Sequence, residues 1–174
     1  MRSKTIILAL GLLAVAGCGQ ADVGATVPTS PRVVAATEID AGRYLVRVGG
    51  CNDCHTSGYI ASGGRTPEAE WLRGNDHGFF GPWGTTYAHN LRLTTANMTE
   101  DAWVEMLSTR EALPIMPWPS VKAMHEADKR AIYRYIRSLP GDAGAPAPTA
   151  LPPGQTPTTP YEDLTTRTPG DAST

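Results

Sequence analysis

The chain of 174 residues carries 18 Gly, 15 Pro, only 18% charged residues and a formal net charge of −2, which suits one domain of ordinary size with extensions. Loss of Arg2 and Lys4 with a leader makes that charge more negative, and no basic stretch interrupts the sequence. A mildly acidic chain of this kind excludes nucleic acid as a partner.

The first residues read as an export signal. Arg2 and Lys4 form a short positive region, and residues 5–14 are an almost unbroken apolar run. The run falls short of the roughly 20 apolar residues that a membrane-spanning helix needs. It ends in Val15-Ala16-Gly17-Cys18, which resembles the lipobox of bacterial lipoproteins, whose Cys becomes the acylated first residue of the mature chain. Ordinary cleavage near Ala16 with an incidental thiol is the alternative. Gly19 follows in place of Asp, so an inner-membrane retention signal is absent, which weakly favours the outer membrane where that rule applies. The expected organisation is a signal peptide over 1–17, then a lipidated Cys18 with a flexible tether to residue 36. A domain over 37–140 follows, with a disordered tail rich in Pro, Thr and Gly over 141–174. Tether and tail lack any apolar period, and segments of that kind do not offset their ordering entropy.

Four helical segments are predicted in the core, in chain order. Thr37 is an N-cap, with Asp40 in the first turn and Ile39, Leu45, Val46 and Val48 as apolar positions, and Gly49-Gly50 stops the helix. A short one opens at Thr66 with Pro67 at its first position and ends near Gly74. The third opens at Thr99, where Glu100 and Asp101 suit the helix dipole, and its apolar face is Trp103, Met106 and Leu107. The last runs from about Glu126 to Leu139 with Ala131, Ile132, Tyr135, Ile136 and Leu139 as its stripe, and Pro140 ends it. No alternating strand pattern of useful length is present, so the expected fold is all-α, helices joined by long loops.

Between the first two helices stands Cys51-Asn52-Asp53-Cys54-His55, the C-x-x-C-H signal for covalent haem attachment. Cysteines three apart reach the two haem vinyl groups as thioethers, and the adjacent His is then held below the iron. Other chemistries use paired cysteines. A zinc site needs four ligands, and with Cys18 lipidated only Cys51, Cys54 and scattered histidines remain. A redox dithiol expects a βαβ context, and a plain disulfide leaves His55 without a role.

Pro114-Ile115-Met116-Pro117 is the second signal. A thioether is a soft ligand for haem iron, and prolines on both sides hold the loop extended. Met116 as a core filler is the plain reading; Met98 and Met124 are rival ligands, and Met106 lies on a packing face. His77, His89 and His125 read as surface or hydrogen-bonding residues. One iron ligated by His55 and Met116 has no open position, which points to an electron carrier rather than an enzyme. A haem enzyme or gas sensor with a labile Met116 is the alternative, and a tethering subunit inside a larger dehydrogenase complex is a third possibility.

At these residues the chain resembles the class I cytochrome c family, over about residues 38–140. Asp40-Ala41-Gly42-Arg43-Tyr44-Leu45 is similar to its first helix and Ala131-Ile132-Tyr133-Arg134-Tyr135-Ile136 to its last. The resemblance implies that the two cross with Gly42 against Tyr135. Phe80-Gly81-Pro82-Trp83-Gly84-Thr85, Asn90-Leu91, Trp103 and Met116-Pro117-Trp118 resemble cytochrome subunits and domains of periplasmic dehydrogenases. By that similarity Trp83, Tyr87 and Asn90 lie near the haem propionates. Arg92, where a Thr commonly follows Asn-Leu, and His125, in place of a Ser N-cap, depart from the pattern. The resemblance implies one covalent haem c with His55 and Met116 on the iron. It also implies redox proteins as donor and acceptor, on a carrier lipid-anchored to a bacterial membrane and facing the periplasm.

Overall fold

The computed structural model describes residues 31–165, so the expected leader and Cys18, expected to be lipidated, lie outside the described residues. Its frame is a pair of amphipathic helices, α1 (Glu38–Val48) and α6 (Glu126–Ser138). The Thr37 hydroxyl accepts the Asp40 amide at 3.1 Å and starts α1. Ala41, Gly42, Leu45 and Val46 are its buried positions, one face of a helical period. His125 caps α6, its Nδ1 accepting the Ala127 amide at 3.1 Å, the role a Ser hydroxyl would otherwise fill. The helices cross at Gly42, where an added Cβ would lie 2.1 Å from the Ala131 carbonyl oxygen and 2.6 Å from Tyr135 Cβ. Only glycine permits that approach, and the meeting expected of Gly42 and Tyr135 is present.

Four shorter helices fill the frame: α2 (Cys51–His55), α3 (Leu91–Ala96), α4 (Glu100–Thr109) and α5 (Trp118–Ala123). Trp103 and Leu107 of α4 are buried in one core with Leu45, Val46, Val121, Ile132, Tyr135 and Ile136. The helix expected over 66–74 shrinks to a 3₁₀ turn at Glu68–Glu70. Beyond it Leu72 takes a left-handed conformation, φ 61°, which a helix does not accommodate.

The all-α expectation fails. A three-stranded sheet, ordered β2-β1-β3, sits beside the helices, and the fold is mixed α/β. Strands β1 (Gly78–Gly81) and β2 (Gly84–Tyr87) form an antiparallel hairpin around Pro82-Trp83, and β3 (Tyr161–Asp163) runs parallel to β1. Strands of three and four residues, rich in Gly and aromatics, are too short to show an alternating pattern.

The third strand comes from the segment expected to be a structureless tail. Residues 141–165 instead lie along the domain. Leu151 and Thr85 exchange amide–carbonyl bonds at 3.0 and 2.9 Å, and the Gly78 amide donates to the Pro160 carbonyl at 2.8 Å. Gly84 permits the first contact: its φ is +96°, and a Cβ there would lie 2.1 Å from the Leu151 oxygen. The Arg92 guanidinium donates to the Pro140 carbonyl at 2.6 Å and to that of Asp142 at 3.2 Å. The segment is thus satisfied by donors and acceptors of the domain rather than by an apolar face of its own. The tether is pinned at its far end, where the Val33 amide donates to Asp128 Oδ1 at 3.0 Å.

Candidate functional site

The site begins where α1 stops. Gly50 adopts φ 67° and turns the chain directly into α2. Helical geometry puts Cys51 and Cys54, three residues apart, on one face, with His55 next in line. Both cysteines are half-buried free thiols. Burial pushes the Cys51 thiol up to about 11, with Asp53 and Cys54 adding to it. Burial raises Cys54 in the same direction. These surroundings oppose a thiolate, the form in which cysteine ligates metals; a neutral thioether suits them.

His55 is 7% exposed. Its Nδ1–H donates to the His89 carbonyl oxygen at 2.7 Å, which leaves Nε2 as the nitrogen with a free lone pair. Burial lowers its affinity for a proton below the ordinary imidazole value, and the bond to His89 only partly counters this. A neutral imidazole with Nδ1 pinned to a backbone carbonyl is the usual arrangement of a histidine metal ligand. The backbone around it is fixed as well. The His55 carbonyl accepts the Gly74 amide at 2.8 Å. Thr56 Oγ1 donates to Asn52 Oδ1 at 2.7 Å and accepts the Leu72 amide at 2.8 Å.

Cys51, Cys54 and His55 line a cavity of about 570 Å³, and so does Met116. That volume falls within the roughly 300–1,000 Å³ typical of cofactor sites. Trp103, Leu107, Val121 and Ile132 make much of the wall apolar. Met116 lies between α4 and α5, its carbonyl accepting the Trp118 amide at 2.8 Å. Thr86 Oγ1 donates to the Pro114 carbonyl at 2.6 Å and ties the same loop to β2. The rival methionines separate: Met106 and Met124 also reach the cavity wall, whereas Met98 does not. His89 reaches it too, while His125 is spent on capping α6.

Of the three residues expected near the propionates, only Tyr87 lines the cavity, with its hydroxyl 2.9 Å from Thr159 Oγ1. Asn90 is not brought to it. Its Oδ1 accepts the Leu93 amide at 3.0 Å to cap α3, and its Nδ2 donates to the Ala143 and Ala145 carbonyls at 2.6 and 3.0 Å. Trp83 is also elsewhere, its ring lying where a Cβ on Gly81 would come within 2.5 Å. Three contributions had no signal in the sequence: the His89 carbonyl, the Thr86 hydroxyl, and a stretch of wall made by Pro148 and Ala150. A backbone carbonyl has no residue type to read, and Pro148 and Ala150 stand in sequence of linker composition.

Compared with known protein families, curated proteins and solved structures, the chain has no match. The chemistry of the site therefore rests on its own residues. Among the described residues, no group of three or more His, Cys, Asp or Glu side chains converges as a metal cage. The donors gathered at the cavity are one oriented imidazole, two neutral sulfurs on adjacent turns and thioethers. That set fits an iron porphyrin held by its edge and ligated from the protein, and it does not fit a zinc centre.

Proposed function

We propose that this chain is a c-type cytochrome that transfers electrons through one covalent haem. Cys51 and Cys54 would carry the haem as thioethers, and His55 and Met116 would hold its iron. The observation that carries the reading is the convergence of Cys51, Cys54, His55 and Met116 on one largely apolar cavity. Bound there, haem c supplies a one-electron iron couple. The chain's own residues set how that couple behaves. Burial keeps His55 neutral, and the His89 carbonyl aims its ring. Met116 contributes a thioether, which raises the potential relative to a second imidazole. Trp103, Leu107, Val121 and Ile132 give the cavity an apolar wall, which would disfavour extra charge on the metal. With His55 and Met116 both holding the iron, no position would remain for a substrate, which is why transfer of electrons is the activity proposed. The leader and Cys18 extend the reading to a lipoprotein facing the periplasm, passing electrons between redox proteins such as a dehydrogenase and a respiratory acceptor.

The test is expression in a host that attaches haem c. The expected product carries one haem that survives denaturation and solvent extraction, and loses it in the Cys51→Ala, Cys54→Ala double variant. Its oxidised form should show the weak sulfur–iron charge-transfer band, and its reduced form should resist CO. Met116→Ala should keep the haem, lose the band, lower the potential and admit CO. Failure of the wild type to retain haem would overturn the reading. An iron open to CO in the wild type would replace the carrier with a haem enzyme or gas sensor.

A further inference from the structure

The Met116 loop has little packing of its own, and Thr86 ties it to β2 at Pro114. Residues 112–115 are exposed, Leu113 by 51% and Ile115 by 39%. A thioether is a weak iron ligand, so the loop geometry depends also on how the two helices that flank it are held. One residue reaches both of those helices. Lys129 of α6 is 3% exposed. Its ammonium donates to Ser108 Oγ at 2.9 Å, in the last turn of α4, and to the Lys122 carbonyl at 3.1 Å, in the last turn of α5. Its own carbonyl accepts Trp103 Nε1 at 3.0 Å, which fastens a cavity-lining ring to the same turn of α6.

A buried cation is costly to hold, and burial lowers its affinity for the proton. Its partners are a hydroxyl and a carbonyl rather than a carboxylate, and its seat is where two helices present the negative ends of their backbone dipoles. An apolar side chain of the same length would fill the space and avoid the desolvation. What the apolar chain would lack is the direction imposed by two hydrogen bonds, one to each helix that flanks the loop.

We propose that Lys129 is a positioning residue for Met116: its buried ammonium locks the C-terminal turns of α4 and α5 to α6 and so fixes the two helices between which the loop presents the thioether. The proposal rests on Met116 being the axial ligand, and the experiment separates the two. In the haem-loaded full chain, Lys129→Met keeps volume and removes both bonds. Its helix content and thermal midpoint should stay near wild type, because burial of the charge no longer opposes folding. The charge-transfer band should weaken, and CO should bind the reduced form at least tenfold faster. Lys129→Arg, which can still donate to both partners, should restore the band and slow CO. Should Lys129→Met fail to accumulate, Ser108→Ala removes one of the two bonds and should speed CO about threefold. Band and CO rate within twofold of wild type in whichever of these two variants folds would overturn the positioning role. A global stability loss with unchanged ligation would overturn it equally. Absence of the band in the wild type would instead overturn the assignment of Met116.

Discussion

Replacing Arg92 by Met tests whether the C-terminal segment belongs to the domain. Arg92 is 5% exposed, and every N–H of its guanidinium is used. Nε donates to the Trp71 carbonyl at 2.7 Å, one terminal nitrogen to Pro140 and Asp142 at 2.6 and 3.2 Å, and the other to Glu68 and Ala69 at 3.0 and 2.9 Å. Hydrogen bonds from a charged donor contribute about 1.5–3 kcal/mol each, and not burying the cation returns several kcal/mol of that. The net loss expected for Arg92→Met is on the order of 3–5 kcal/mol. For a domain of this size that is a fall in Tm of about 10–15 °C. Arg92→Lys should fall between, since an ammonium has three donors and can serve at most three of these carbonyls. Thermal unfolding by circular dichroism reads the first effect. The second readout is limited proteolysis with mass detection, which should nick the variant early between 141 and 147, ahead of the cavity residues Pro148 and Ala150. A Tm within about 2 °C of wild type, together with an unchanged cleavage pattern, would refute the idea that this guanidinium holds the segment down.

Glu68 gives a pH dependence. Burial pushes its carboxyl up, but the Tyr135 hydroxyl and the Arg43 guanidinium, whose Nε and a terminal nitrogen donate at 2.9 and 3.1 Å, more than offset it and leave the group below its ordinary value of 4.5. A depressed carboxyl contributes stability above its unfolded pKa and loses it as pH falls through the folded one. Glu68→Gln should therefore cost roughly 1 kcal/mol near neutrality for this partly exposed pair, and the gap in Tm should close in acid below about pH 4. A gap that persists unchanged into acid would contradict the assignment. Cys18→Ser should lower the mature mass by its acyl groups and move the protein out of the membrane fraction, because stable anchoring needs more than one chain; unchanged mass and partition would remove the lipoprotein proposal.

The parts of this protein that its sequence determined are those whose cause is local. Thr37 and Thr99 hold oxygens that accept amides three residues further on, and α1 and α4 start where those caps stand. The stripe Ala131, Ile132, Tyr135 and Ile136 is buried as its period requires. The candidate donors Cys51, Cys54, His55 and Met116 were legible because their chemistry lies in residue type and spacing. Tertiary structure decided the rest, through groups that no residue letter announces. The sheet exists because Gly78 and Phe80 of β1 bond to chain some 80 residues away, at Pro160 and Leu164. Asn90 matched a pattern placing it near the propionates, yet its amide is spent on α3 and on the carbonyls of Ala143 and Ala145. Arg92, a departure from the same pattern, is what joins α3 to that segment. Residues 141–165 have the composition of a linker because their stabilisation comes from outside them, from amides and a guanidinium elsewhere in the fold, and only the folded chain brings those donors within reach.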